Sequence, residues 1–334
     1  MPVQPRYKRP KRPSRGLAVQ ERDLEVLKLL AVHRYARADH FRSLLFQDRG
    51  VRVLQERLRR LFEHGLVDRY FVPVVLGTDQ IVPRFSSQPI YALTARGAGV
   101  LAERTGCDLS GIPVGLRRNL LAFPTLVHDL VATDFTVSLC VALAALGLPV
   151  TVQHDHELRR LSARSASGSR KGHPIVPDAA VTVTLPGDRR MTFCLEVVRA
   201  GIRGGNRNLR AKLLRYLELH RLRFFREAYG HEWLRGVLVA TTSTSRAEGL
   251  RTACLSLPHG HRLFSFGSYR SGDAEEGPLF TPENIIDHPW RLLDGSTMTL
   301  RQIIQSETET HETSSRAAPG GTAVTDRGGP DHLG

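Results

Sequence analysis

The chain has 334 residues, 41% of them hydrophobic, with 47 Lys and Arg against 33 Asp and Glu and a formal net charge of +14. That length predicts two domains with tails; the excess of charge, carried far more by Arg than by Lys, points to an acidic partner, nucleic acid before others, with an Arg-rich GC-biased genome as the competing source of the signal. Cys107, Cys140, Cys194 and Cys254 form no CxxC pair, which argues against a zinc site or disulfide framework, and the longest apolar run, "VSLCVALAALGLPV", falls short of the roughly 20 residues of a membrane span, so a soluble cytoplasmic protein is expected.

Residues 1–18 alternate Pro with Arg and Lys and contain no acid, which predicts a disordered basic arm with Arg6, Lys8, Arg9, Lys11, Arg12 and Arg15 available to phosphates or a minor groove. From 19 to 106 the pattern becomes helical. "ERDLEVLKLLAVHRY" places Leu24, Leu27 and Leu30 at helical spacing, and "ARADHFRSLLF" continues as a second helix. The third, "RVLQERLRRLFEHGLV", buries Leu54, Leu58, Leu61 and Phe62 and turns Arg52, Gln55, Glu56, Arg59 and Arg60 outward. "LVDRYFVPVV" and "QPIYALT" read as strands flanking a polar stretch with Arg84, and "ARGAGVLAERTG" as a closing helix. Three helices and a hairpin predict a winged helix. Its third helix would carry Arg52, Gln55, Arg59 and Arg60 into the major groove of double-stranded DNA, with Arg69 and Arg84 on phosphates. Glu56 and Glu63 dilute that face, and a protein-interaction domain is the alternative.

A linker over 107–124 leads to a second domain over 125–304, where elements alternate as αβββαβαβ and an α/β (α+β) fold is expected. It opens with the helix "TLVHDLVATDFTVSLCVALAAL". Strands follow at 149–158, 175–185 and 191–198, then a helix in "NLRAKLLRYLELHRLRFF", a strand in "GVLVATTS", a helix in "SRAEGLRTACLSL" and a strand in "HRLFSFGS". Residues 305–334 are polar and rich in Gly, Ser and Thr, and predict a disordered tail.

"IVPDAAVTVTLPGDRRMTFCLEVV" places Asp178 and Glu196 on neighbouring strands joined by a Pro-Gly-Asp turn, which is how metal-dependent nucleases assemble an acidic pocket. Both would be ligands for Mg²⁺ or Mn²⁺. Glu196 lies among Phe193, Leu195, Val197 and Val198, where an unpaired charge costs several kcal/mol, so it needs a metal or a cation. Lys212 on the following helix is the first candidate and Arg199 the second. Glu157, in "HDHEL", offers a third carboxylate beside His154 and His156. His128, on the first helix, is placed to reach the sheet edge or to pack as a core residue, and "RAGIRGGNRNLRAK" offers Arg203, Arg207 and Arg210 to a phosphate or forms a simple loop.

The phrases "ERDLEVLKLLAVHRYARADHFRSLLF", "RLRRLFEHGLVDRY", "YALTARGAGVLAE", "HDLVATDF" and "PDAAVTVTL" with "FCLEVVRAG" and "KLLRY", in this order, resemble the replication-relaxation family of actinobacterial plasmids and mobile elements. The resemblance implies a DNA-associated accessory role in replication or DNA relaxation, alone, as a homodimer, or with replication and mobilisation proteins. The second domain is similar to the PD-(D/E)xK nucleases, a restriction-endonuclease-like superfamily with core order αβββαβ; that likeness implies catalytic roles for Asp178, Glu196, Lys212 and Glu157. Val198 stands where that motif has its lysine. Metal-dependent endonuclease or nickase activity is one alternative, and a winged-helix transcriptional regulator another.

Overall fold

Glu21 and Asp23 open the first helix, α1 (Glu21–His33), at the end of the helix dipole that favours acids. The computed structural model describes residues 9–11, 13, 16–70, 89–106, 108, 114, 123–166, 175–198, 205–257, 262–269 and 280–316. After α1 come β1 (Tyr35–Arg37), α2 (Ala38–Leu45), α3 (Val51–Glu63), β2 (Val67–Tyr70), β3 (Ile90–Leu93) and α4 (Ala95–Thr105). The three strands form an antiparallel sheet in the order β1-β3-β2. Helix α3 is amphipathic as its spacing predicts: Leu54, Leu58, Leu61 and Phe62 are buried with Leu27, Leu30, Phe41 and Leu93 in one core. At the start of α4, Thr94 Oγ1 caps the amide of Gly97, and a Cβ on Gly97 would fall 2.0 Å from the Leu66 carbonyl oxygen, so glycine is what lets α4 lie on the chain entering β2.

The second unit comprises α5 (Phe123–Ala145), β4 (Val150–His154), α6 (Asp155–Ala166), β5 (Ala179–Leu185), β6 (Arg189–Val198), α7 (Gly205–Arg221), α8 (Phe224–Tyr229), β7 (Leu234–Thr241), α9 (Thr244–Ala253), β8 (Phe264–Ser268), β9 (Trp290–Leu292), β10 (Thr297–Met298) and α10 (Leu300–Arg316). Together the two units make a mixed α/β protein. The seven strands run β10-β9-β8-β7-β6-β5-β4, with β6, β7 and β8 mutually parallel and the other pairs antiparallel. Alternation along β6 feeds two cores: Met191, Phe193, Leu195 and Val197 pack toward α5 and α10, while Cys194 packs with α7 and α9. Helix α5 contains an apolar window, His128–Ala145, long enough by composition to cross a membrane, and 67% of that window is buried inside the protein.

Three expectations change. The strand expected over 149–158 ends at His154, and Asp155 starts α6 with Glu157 in its first turn, where acids favour a helix N-terminus over a strand. The helix expected through Phe225 breaks at Arg223, which has φ 56° and divides α7 from α8. The segment expected to be a floppy tail from about Ser306 continues α10 to Arg316, because Leu300, Ile303 and Ile304 bury one stripe and Glu307 binds Arg189 and Arg235. The linker over 107–124, residues 1–8 of the basic arm, and 317–334 fall almost entirely outside the described residues.

The two units meet on polar groups that are buried. Arg37 of β1 donates to both carboxylate oxygens of Asp134 on α5, at 2.5 and 3.4 Å, and His40 Nε2 lies 2.6 Å from Asp134 Oδ1. The Asp134 side chain is 1% exposed. Nearby, His33 Nδ1 lies 2.8 Å from His154 Nε2 and 3.3 Å from the Thr136 hydroxyl. Burial lowers the His33 pKa to about 3, so this contact is made between neutral rings. Replacing Asp134 with Ala leaves His40 buried without its carboxylate and Arg37 with only Asp39, at 3.2 Å, and is expected to destabilise the protein by about 3 kcal/mol in urea unfolding. Asp287→Ala, which breaks the exposed bridge to Arg301, should cost less than about 1 kcal/mol by the same measurement. Equal losses would mean that the joint contributes no more than a surface pair.

Candidate functional site

Strand pairing builds the site. Asp178, one residue before β5, donates its amide to Leu195 O on β6 at 3.0 Å, and its carbonyl accepts from the Asp155 amide at 3.2 Å, so the backbone of one residue ties the start of α6 to β6. Its side chain accepts from the Val197 amide at 2.8 Å through Oδ2. That places the carboxylate beside Glu196. The Pro-Gly-Asp turn between β5 and β6 sets the register: Gly187 and Asp188 both have positive φ, 75° and 57°, as a tight right-twisting hairpin requires, and Ala179 then falls opposite Leu195.

Glu196 points to the face occupied by Cys194, toward α7. There Lys212 and Tyr216, four residues apart on one side of the helix, meet its two oxygens: Lys212 Nζ donates to Oε2 at 2.5 Å and Tyr216 Oη to Oε1 at 2.6 Å. The Glu196 side chain is 4% exposed, that of Lys212 34%, so the pair runs from the core to the surface. Asp178 has a different partner. His128 of α5 places Nε2 3.1 Å from Asp178 Oδ2 and Nδ1 3.4 Å from Asp129, and Asp129 in turn accepts from Arg34 at 3.2 Å. Arg34 also reaches Asp155 at 3.4 Å. It is the single residue between α1 and β1, and it has φ 66°, a conformation costly for a residue with a side chain.

These contacts split the two acids. Burial alone would push Asp178 up, but the His128 cation beside it holds its carboxyl below the usual range. Burial pushes Glu196 up to about 7, with Lys212 opposing. Burial works against charge on His128 too, yet the Asp178 and Asp129 carboxylates raise its pKa to about 10. At neutral pH the site therefore holds an imidazolium–aspartate pair next to a lysine whose proton its two acidic neighbours hold firmly, and a buried glutamate whose own proton affinity is raised.

The sequence-predicted residues divide clearly. Asp178, Glu196 and Lys212 come together. Glu157 does not join them, because it lies on α6, within 3.4 Å of Gln153. His154 and His156 turn to the joint instead, His154 to His33 and His156 to the Ala31 carbonyl at 3.2 Å. Arg199 and Arg203 lie outside the described residues, as do Arg12 and Arg84. Val198 packs against the core under α7 and supplies no cation. Tyr216 was not expected; its spacing from Lys212 was the available signal. Among the described residues no group of three or more His, Cys, Asp or Glu stands where it would hold a metal ion.

On the first unit, Arg52 and Gln55 of α3 are exposed, flanked by Val51 and Val53 at 44% and 52% exposure. Arg59 is held by Glu56 at 2.8 Å and by Glu63, and Arg60 by Glu56 at 2.9 Å. Arg69 lies over the Phe62 ring at 5.7 Å. Arg9 is built into the unit, donating to Phe62 O at 3.0 Å, to Val67 O at 3.1 Å and to Asp68.

Because the folded His128 pKa lies above its ordinary value of 6.5, the stability it contributes is fully present below about 6.5 and lost as pH rises through about 10. The difference in melting temperature between wild type and His128→Gln should therefore shrink steadily from pH 6.5 to 10. A difference that is constant over that range would show that His128 is neutral in the folded protein.

A family model described as replication-relaxation matches residues 27–231, from within α1 to the turn before β7, and so takes in most of the first unit, the second unit as far as α8, the joint between them and the Asp178, Glu196 and Lys212 pocket. No curated protein and no solved structure matches the chain. With more than half of its length matched, the chain belongs to the replication-relaxation family.

Proposed function

We propose that this protein is a DNA-binding accessory factor in the replication or relaxation of a plasmid or mobile element, and that its first unit is a winged helix reading double-stranded DNA through the first turns of α3. The observation that carries this reading is the uneven treatment of the α3 arginines. Arg57, Arg59 and Arg60 are each held by carboxylates, whereas Arg52 and Gln55 stand exposed at the N-terminal end without a side-chain partner among the described residues. Arg and Gln are residues that bond base edges bidentately in a major groove. The formal charge of +14 supplies the non-specific attraction. Arg9 serves to tie the basic arm to α3 and β2, so phosphate contacts fall to the arginines around it.

The expected result is that Arg52→Ala lowers affinity for a duplex site selected from a random pool by about 1–3 kcal/mol, and affinity for scrambled duplex much less, in fluorescence anisotropy. Arg59→Ala should change both little. An equal loss on both duplexes would reduce Arg52 to a backbone contact.

A second reading, metal-dependent cleavage or nicking of DNA, is favoured by the convergence of Asp178, Glu196 and Lys212 in a restriction-endonuclease-like arrangement. In it the Asp178 and Glu196 carboxylates hold Mg²⁺ or Mn²⁺, which supplies the activated water, and Lys212 neutralises the phosphate. The donor set fits only in part, since both Glu196 oxygens are engaged by Lys212 and Tyr216, and Asp178 Oδ1 is the oxygen without a protein partner among the described residues. Metal binding therefore requires Lys212 to release Glu196. If it does, Mn²⁺ raises the melting temperature of wild type, by up to about 2.7 kcal/mol of stability at a hundred times Kd, and Glu196→Gln abolishes that rise. A melting temperature indifferent to Mn²⁺, with supercoiled DNA left intact, removes this reading and leaves the first.

A further inference from the structure

The end of the sheet opposite Asp178 contains a cavity of about 500 Å³ between the C-terminus of α7, the starts of β7 and β8, and α10. Its floor is apolar: Leu217, Leu234 and Leu263 are buried, and the Trp233 indole borders it. Its walls are cationic. Arg221 and Arg262 are exposed and have no carboxylate partner among the described residues, and Arg235 donates to Glu307 at 3.1 Å. Arg189, beside them, covers one face of the Trp233 ring at 5.8 Å and shares the same Glu307. Three guanidiniums and one carboxylate thus line a cavity floored by leucines and bordered by an indole, and a fourth guanidinium, Arg189, binds that same carboxylate from outside.

That combination selects a ligand with an anionic group and a flat apolar body on the same molecule. A bare phosphate would leave the leucine floor wet, and an apolar ligand would leave two guanidiniums unanswered. We propose that this cavity is a nucleotide-binding site, with a phosphate between Arg221 and Arg262 and a base over Leu217, Leu234 and the edge of Trp233. The volume lies within the range of small-ligand sites. The same unit is offered by a free nucleotide or by one residue of an unpaired strand, whereas a base inside a duplex has no face to give. The site is independent of α3, and it shares α7 with the acid pocket: Lys212 and Arg221 are nine residues apart, about 13 Å along the helix axis.

The chain has two tryptophans, and Trp290 is 0% exposed, so a ligand-induced change in tryptophan emission reports on Trp233. The full-length protein would be titrated with a thymidine oligomer of about ten nucleotides, with thymidine triphosphate, and with a duplex of the same length. The proposal expects an emission change with the oligomer or the triphosphate, absent with duplex and abolished in Trp233→Phe. If the oligomer alone binds, the source is a strand; if the triphosphate binds as well as the oligomer, it is a free nucleotide. The double variant Arg221→Ala with Arg262→Ala should weaken binding at least tenfold, and for the oligomer reduce the slope of log K against log salt by about 0.7, one single-strand phosphate contact. Both arginines are exposed, so the fold should survive, and an unchanged melting temperature verifies this. No emission change with either ligand, or a double variant that binds like wild type, overturns the proposal. Arg52→Ala should leave the signal intact, which separates this site from duplex binding through α3.

Discussion

One buried carboxylate, Asp134, governs how the two units stand to each other. It is nearly inaccessible, and it answers both the Arg37 guanidinium and the His40 ring. A charge in that position is tolerated only when fully paired, so the geometry of β1 and α5 is fixed to the reach of one guanidinium fork. The neighbouring contacts follow from that seat: Thr133 donates to Tyr35 O, His33 meets His154, and Arg34 reaches Asp129 and Asp155. Since Asp129 also meets His128, and His128 meets Asp178, the polar chain runs without interruption from the first unit to the acid pocket.

The pocket itself is organised by asymmetry. Two acids on adjacent strands would repel if both were charged in a low dielectric, and the structure avoids this by giving each its own cation and its own degree of burial. Asp178 is tied to a backbone amide and an imidazolium, which fixes it as an anion. Glu196 lies deeper, and its proton affinity is set by a contest between burial and Lys212. Pairs of titratable groups driven apart in this way are frequent at functional sites, and also occur in structural ion-pair networks. The proposed metal reading turns on Lys212, which is one-third exposed and so has a second destination in solvent.

Much of this was legible in the chain. The α3 stripe, the Pro-Gly-Asp turn and the alternation along β6 each obey a local rule, so the elements and the meeting of Asp178 with Glu196 followed from spacing. Lys212 came from the nuclease likeness, as the substitute for the lysine whose place Val198 takes. The errors lie where local rules were read too far. "HDHEL" alternates like a strand, but two acids in a row of first-turn positions start a helix, which took Glu157 away from the site. The tail looked featureless because its apolar stripe, Leu300, Ile303 and Ile304, comes just before the polar run that it anchors. The joint was invisible for another reason: no periodicity marks Arg37 and Asp134 as partners, since they are 97 residues apart and their pairing is a product of the tertiary fold alone.

The brevity of the link between α1 and α2 has a bearing on how such a chain is inherited. His33, Arg34, Tyr35 and Arg37 lie within five consecutive residues, and all four touch the second unit. The inner edge of the first unit is thus cut to fit one particular neighbour, so a recombination event that swapped in a foreign first unit would strand Asp134 in the interior and undo the bracing of Asp129. Under the proposed reading of α3, a change of DNA preference falls to substitution on its exposed turns, at positions such as 51, 52, 53 and 55, with the inner edge held constant.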